Sequence, residues 1–176
     1  LAGMLLNNGN EVGARQKVEE ILATYPNSAP ALKMQANWLI ADDDTNGAIT
    51  ALRTALEQEP EDAAAMLLMA QAYQRAGNKE LMQNFLSLAV EASNNEPRYA
   101  IAYARALIDD ENYIAAETTL IASLRITPGN TNVLTLLGRV YLAMEDLPRA
   151  QQVADTLEKI EQPAAQNAAA SEGACW

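Results

Sequence analysis

Asp42, Asp44, Asn46 and Gly47 stand in the order D-x-D-x-N-G, the opening of a calcium-binding helix-loop-helix. Such a loop closes its coordination with a bidentate glutamate at its twelfth position. Here that position is Arg53, and Ala48 and Leu52 already belong to the apolar stripe of the following helix. The four residues therefore read as a solvated acidic turn, and no metal site is expected. Histidine is absent from the chain. That removes Ser–His and Cys–His nucleophile pairs, imidazole bases and the H-E-x-x-H zinc motif. Neither of the glycine-rich phosphate loops, G-x-x-x-x-G-K-[ST] or G-x-G-x-x-G, occurs. Carboxylate pairs remain at Asp109/Asp110 and Glu145/Asp146, both placed by the apolar pattern in turns, where solvated acids are common. The single Cys175 has no internal partner for a disulfide and lies beside the terminal Trp176. No catalytic residues are assigned, an enzyme is not expected, and no cofactor is indicated.

The elements that would carry any binding function are better defined. The chain has 176 residues, 49% of them hydrophobic but only 5% aromatic, and a formal charge of −11. Alanine and leucine in excess, with few glycines and prolines, are the composition of closely packed helices. The negative charge argues against a nucleic-acid partner, since phosphates would be repelled. No apolar run approaches the roughly 18 residues that a membrane-spanning helix needs.

Cut every 34 residues, at Ala29, Ala63, Pro97 and Thr131, the chain falls into register. The expected organisation is a truncated repeat over 1–28, full repeats over 29–62, 63–96, 97–130 and 131–164, and an alanine-rich tail or start of a further unit over 165–176. Counting from each cut, positions 4, 8 and 11 are Leu32, Ala36, Leu39; Met66, Ala70, Tyr73; Ala100, Ala104, Leu107; and Leu134, Gly138, Tyr141. Spacings of four and three place each set on one helical face. Positions 20, 24 and 27 give a second stripe: Ala48, Leu52, Ala55; Met82, Leu86, Ala89; Ala116, Leu120, Ser123; and Ala150, Ala154, Leu157. Small residues at positions 8 and 20 let two helix backbones approach closely. Gly77 and the stretch 42–47 supply breakers between the two helices, and Pro60 and Pro128 end units at position 32. Position 34 carries Ser28, Asp62, Glu96 and Asn130, three of them good N-cap residues.

This pattern, with a large residue at 4, small at 8, large or aromatic at 11, alanine at 20, large at 24, alanine at 27 and proline at 32, resembles the tetratricopeptide repeat family over about residues 1–164. Departures are Asn94 in place of proline, the exchanged sizes of Ala154 and Leu157, and Gln35 at a normally apolar position. The resemblance implies an all-α fold, a right-handed superhelical solenoid of antiparallel helix pairs. It also implies that first helices line a concave groove whose positions 2, 5, 9, 12 and 13 face a ligand. Those positions here include Lys33, Asn37, Gln71, Gln74, Arg75, Arg98, Arg105 and Arg139. Five of the twelve basic residues are in that set, and Asp109 is the one acid within positions 1–13 of the four full units. Acids gather instead in turns and second helices, among them Glu57, Glu59, Glu61, Asp62, Glu80, Glu91, Glu117, Asp155 and Glu158. Apolar groove positions Leu67, Ile101, Ile108 and Leu142 add hydrophobic contacts.

Lys33, Asn37 and Arg98 match part of the carboxylate clamp by which chaperone-binding members of the family hold an acidic C-terminus. Leu68 and Ala102 break the match, so chaperone tails are not the expected ligand. The expected function is a non-catalytic module that binds a peptide or partner protein, with acidic or C-terminal carboxylate groups, in a basic, polar and partly apolar groove. The alternative is a structural spacer or self-assembling scaffold in a larger protein, as in bacterial envelope assemblies; the compact, alanine-rich style is bacterial. Because the first copy enters midway through its first helix, the chain is expected to be a fragment of a longer array. Leu1, Met4 and Leu5 would then form a bare stacking face open to self-association.

Overall fold

Each helix pair is closed by the same two-residue joint, and the joint recurs at the repeat period. At the first of the two positions stand Gly9, Asp43, Gly77, Glu111 and Glu145, all with positive φ between 57° and 74°. The next residue, Asn10, Asp44, Asn78, Asn112 or Asp146, sends its N–H back to a carbonyl five residues earlier, at 2.8–2.9 Å. This is the helix-ending motif in which one left-handed residue satisfies the last carbonyls. The side chain of that same residue then accepts the amide three residues on, from Gly13, Gly47, Leu81, Ala115 and Arg149 respectively, and so starts the second helix. The acidic turn around Asp44 is one of these joints.

The computed structural model describes the backbone of residues 2–172 and the side chains of residues 2–161. Among the described residues there are ten helices and no strand. They are α1 (Ala2–Asn7), α2 (Glu11–Thr24), α3 (Ala29–Ala41), α4 (Thr45–Gln58), α5 (Ala63–Arg75), α6 (Lys79–Ala92), α7 (Pro97–Asp109), α8 (Tyr113–Ile126), α9 (Thr131–Ala143) and α10 (Leu147–Glu172). The helices start at each expected cut. At the unit starts, Asp62 accepts from Ala64 and Ala65, and Asn130 accepts from Val133. Ser28 departs from expectation: its side chain makes no cap hydrogen bond, and the helix is started by Pro30 in the first turn. In the stretch 165–176, α10 continues through Pro163 as far as Glu172; Cys175 and Trp176 lie outside the described residues, as does Leu1.

The chain divides into two compact units, residues 1–93 and 94–176. The division falls where Asn94 replaces the proline of position 32. There α6 ends on Ser93, and Asn94 and Asn95 both take positive φ, 53° and 63°. The corresponding ends of α2, α4 and α8 are extended instead, with φ near −130° at Tyr25, Glu59 and Thr127.

In unit 1, α3 packs on α4, α4 on α5 and α5 on α6. Ala36, Ala48, Leu52 and Ala55 form the floor of its core, with Tyr73 and Phe85 stacked at 5.5 Å beside it. A smaller cluster joins Ala2, Ala14, Val18 and Trp38. In unit 2, α9 sits on α7 and α8, and α10 returns along α9. Its core is built from Ala104, Leu107, Ala116, Leu120, Val133 and Val140. Most stripe positions are buried, Leu39, Tyr73 and Met82 are half-buried, and the last hairpin departs furthest from the pattern. Position 24 is buried at Leu52, Leu86 and Leu120, whereas Ala154 is exposed and Gly138 is only half-buried. No described helix covers that side of α9 and α10.

Candidate functional site

Within each unit the first helices of successive hairpins lean on one another, α3 on α5 and α7 on α9, more closely than the second helices do. The first-helix side is therefore the inner side of each unit. Position 9 of every first helix, Asn37, Gln71, Arg105 and Arg139, is exposed, because the neighbouring positions 8 turn inward at Ala36, Ala70 and Ala104. Gln74, Arg75 and Arg98 are also exposed, and Lys33 is half-buried.

The two units differ in what their cations do. In unit 1, the Lys33 ammonium is hydrogen-bonded to Asp62 and lies 3.8 Å from Glu59. Arg75 lies 3.6 Å from Asp43, the left-handed residue of the α3–α4 joint. Partial burial pushes the Asp62 carboxyl upward. The hydrogen bond from Lys33 and the amides of Ala65 and Ala64 outweigh this and hold it below its ordinary value. In unit 2, Arg98 rests over the Tyr99 ring at 5.6 Å. None of Arg98, Arg105 and Arg139 has a carboxylate partner among the described residues. Ile101 and Ile108 are half-buried between them on α7, and Leu142 is 57% exposed on α9.

Two charge networks outside the expected set fix the helix pairs. Arg149 bonds Asp146 through Nε at 2.6 Å, pairs with Glu117, and lies 4.3 Å over the Tyr141 ring. Tyr141 donates its hydroxyl to Glu117 at 3.2 Å, and burial with the nearby Glu117 charge raises the phenol above its ordinary value. The amide and guanidinium of Arg149 hold Asp146 below the usual carboxylate range. In unit 1, Arg15 bridges Asp42 at 2.8 Å and Glu11, over the Trp38 ring at 5.3 Å. Each network joins two or three helices; Asp146 and Tyr141 hold recurring positions, but the pairings themselves do not recur in the other repeats, so the repeat pattern carried no sign of them. The joint caps Asn10, Asp44, Asn78, Asn112 and Asp146 did have a sequence signal, an amide or carboxylate recurring at the repeat period.

The model of the tetratricopeptide repeat matches residues 39–106 and 107–172. The chain belongs to the tetratricopeptide repeat family. Among curated proteins this tetratricopeptide repeat chain is similar to Cellulose synthase operon protein C of Pseudomonas fluorescens (strain SBW25), 24% identical over 145 residues. The match takes in 82% of this chain and 11% of that protein's length. Solved structures sharing the fold include MamA, at a TM-score of 0.76 and 16% identity, covering 94% of this chain and 90% of that one. Pseudomonas aeruginosa pilF matches with a TM-score of 0.73 and 17% identity, over 90% and 72% of the two chains. YrrB, described as a tetratricopeptide repeat protein with an unusual peptide-binding site, matches at 0.69 and 17%, over 97% and 88%. At such identities the likeness is one of fold. The coarse function that follows is that of a protein-interaction scaffold. No described helix is long and apolar enough to cross a membrane.

Proposed function

We propose that this chain is a non-catalytic interaction module that binds a peptide or a peptide-like segment of a partner protein along the inner, first-helix side. The observation that carries the reading is the exposed position 9 of the first helices within each unit, Asn37 and Gln71 in unit 1 and Arg105 and Arg139 in unit 2, in a chain whose net charge is −11. Amides at these positions suit a peptide backbone, and guanidinium groups suit carboxylates, including a C-terminal one. Lys33, Gln74 and Arg75 share the first helices of unit 1 with them, and Arg98 shares α7 of unit 2 with Arg105.

A second reading is a spacer or self-assembling scaffold segment of a larger protein. It is favoured by the bare side of α9 and α10, where Leu142 and Leu147 are 57% and 65% exposed. Met4 and Val12, 68% and 81% exposed, are similarly bare near the other end. Arg105→Glu combined with Arg139→Glu in the full-length protein separates the two readings. Both residues are exposed and have no carboxylate partner among the described residues, so helicity should be unchanged. Loss of partner capture then supports inner-side binding, and undiminished capture supports the spacer.

A further inference from the structure

We propose, resting on the inner-side binding reading, that the ligand's carboxylates are read by unit 2 alone, through a repeated arginine-aliphatic stripe that selects a peptide of interleaved acidic and aliphatic residues. Three times in unit 2 an arginine is followed three residues later by an aliphatic residue: Arg98 and Ile101, Arg105 and Ile108, Arg139 and Leu142. A spacing of three turns about 300° around the helix, and Arg98 to Arg105 is about two turns, so each pair shares one face and α7 carries two pairs roughly 10 Å apart along its axis. All three arginines are exposed and lack a carboxylate partner among the described residues, while Ile101 and Ile108 are partly and Leu142 largely accessible beside them. A bound carboxylate gains charge-assisted hydrogen bonds there without displacing an internal acid, and the neighbouring aliphatic group exchanges water for an apolar side chain.

The first helices of unit 1 offer no such stripe; Arg15/Val18 and Arg53/Leu56 share the spacing but lie on the second helices α2 and α4. The cations on the first-helix side of unit 1 have carboxylates beside them: Lys33 is held by Asp62, which also caps α5, and Arg75 lies 3.6 Å from Asp43. Its remaining polar inner positions, Asn37, Gln71 and Gln74, are amides, and the aliphatic Ile40 and Leu67 are buried. A carboxylate at Lys33 would have to compete with Asp62, so unit 1 is left to uncharged polar segments.

The test uses labelled peptides alternating Asp and Leu, Ser and Leu, or Asp and Ser, with binding read by fluorescence anisotropy. The Asp–Leu peptide should bind best, and raising salt from about 0.1 M to about 1 M, which cuts the Debye length from about 10 Å to about 3 Å, should weaken it several-fold. Arg105→Gln with Arg139→Gln should weaken it by about tenfold, equivalent to about 1.4 kcal/mol. Lys33→Gln with Arg75→Gln should leave it within about twofold, because both residues lie in unit 1, outside the arginine-aliphatic stripe, and Lys33 is held by Asp62. Equal binding of the Ser–Leu peptide, lost in the Arg105/Arg139 variant, would overturn the acidic reading while leaving inner-side binding intact. Asp–Leu binding indifferent to Arg105 and Arg139 would overturn the proposal, as would loss through Lys33 and Arg75. Failure of all three peptides to bind would overturn it too, and unaltered partner capture by the charge-reversed protein would overturn the underlying reading separately.

Discussion

Ser123 is the sharpest place to perturb the fold. Its side chain is fully buried in α8, and its hydroxyl has no hydrogen-bond partner among the described residues. The same repeat position is alanine in the two preceding units, where Ala55 and Ala89 are equally buried. Removing an unsatisfied buried hydroxyl recovers about 1–3 kcal/mol. Alanine also improves the helix by a few tenths of a kcal/mol, and the small void left by one oxygen offsets up to about 1 kcal/mol. Ser123→Ala should therefore stabilise the protein by about 1–2 kcal/mol, or about 2–8 °C in melting temperature for a chain of this size. The mirror-image change, Ala89→Ser, should cost a similar amount. Urea and thermal unfolding followed by far-UV circular dichroism measure both. A destabilised Ser123→Ala protein, or an Ala89→Ser protein as stable as the parent, would refute the reasoning, because it would mean that the hydroxyl has a partner in solution.

Two further predictions probe the joints and the caps. Gly77 has φ of +73°, and a methyl group there would meet no atom within 4 Å, so Gly77→Ala should lose about 1 kcal/mol through backbone conformation alone; urea midpoints unchanged from the parent would contradict this. The Asp62 carboxyl lies below its ordinary value in the folded protein. Its charge therefore adds stability that is fully present above about pH 4 and is lost as pH falls through the depressed folded value. Asp62→Asn retains an acceptor for the α5 amides but not the ion pair with Lys33. It should be less stable than the parent by about 0.5–1 kcal/mol near pH 6, with the gap closing towards pH 3. A gap that stays constant across that range would contradict the assignment.

The helices and their buried stripes were legible because burial recurs with the helical period and the hairpin recurs with the repeat period. Ala36, Ala48 and Leu52 are as buried as their positions require. Ala154 is exposed despite holding a stripe position, because the position is apolar by repetition whereas burial depends on a further helix to cover it. Ser28 has cap chemistry, but its side chain is not bonded to the first amides, and residue type alone does not fix a rotamer. The joints had a signal that stripe counting passes over: position 15 must bend left-handed and position 16 must cap. Glycine fills the first only at Gly9 and Gly77, and Asp43, Glu111 and Glu145 adopt the same backbone.

Of the inner-side residues, their positions could be counted from the repeat, but the state of their charges could not. Lys33 and Arg75 read in sequence like Arg105 and Arg139. The structure gives the first two carboxylate partners, Asp62 and Asp43, that lie on other helices or in turns. The Arg149–Glu117–Tyr141–Asp146 network was hidden for the same reason, since it joins α8, α9 and α10 through pairings that occur in no other repeat. Periodicity reports which way a side chain points from its own helix, and not what an adjacent helix brings to it.

The most direct measurement of the central claim is a site-specific photo-crosslinking scan of the full-length protein in its own cells. The crosslinker is placed in turn at Asn37, Gln71, Arg105 and Arg139 on first helices and at Leu88 and Thr118 on second helices, all six exposed. Adducts with a partner from the first-helix set, and none from Leu88 or Thr118, are the predicted result. Adducts from the second-helix positions alone would contradict inner-side binding.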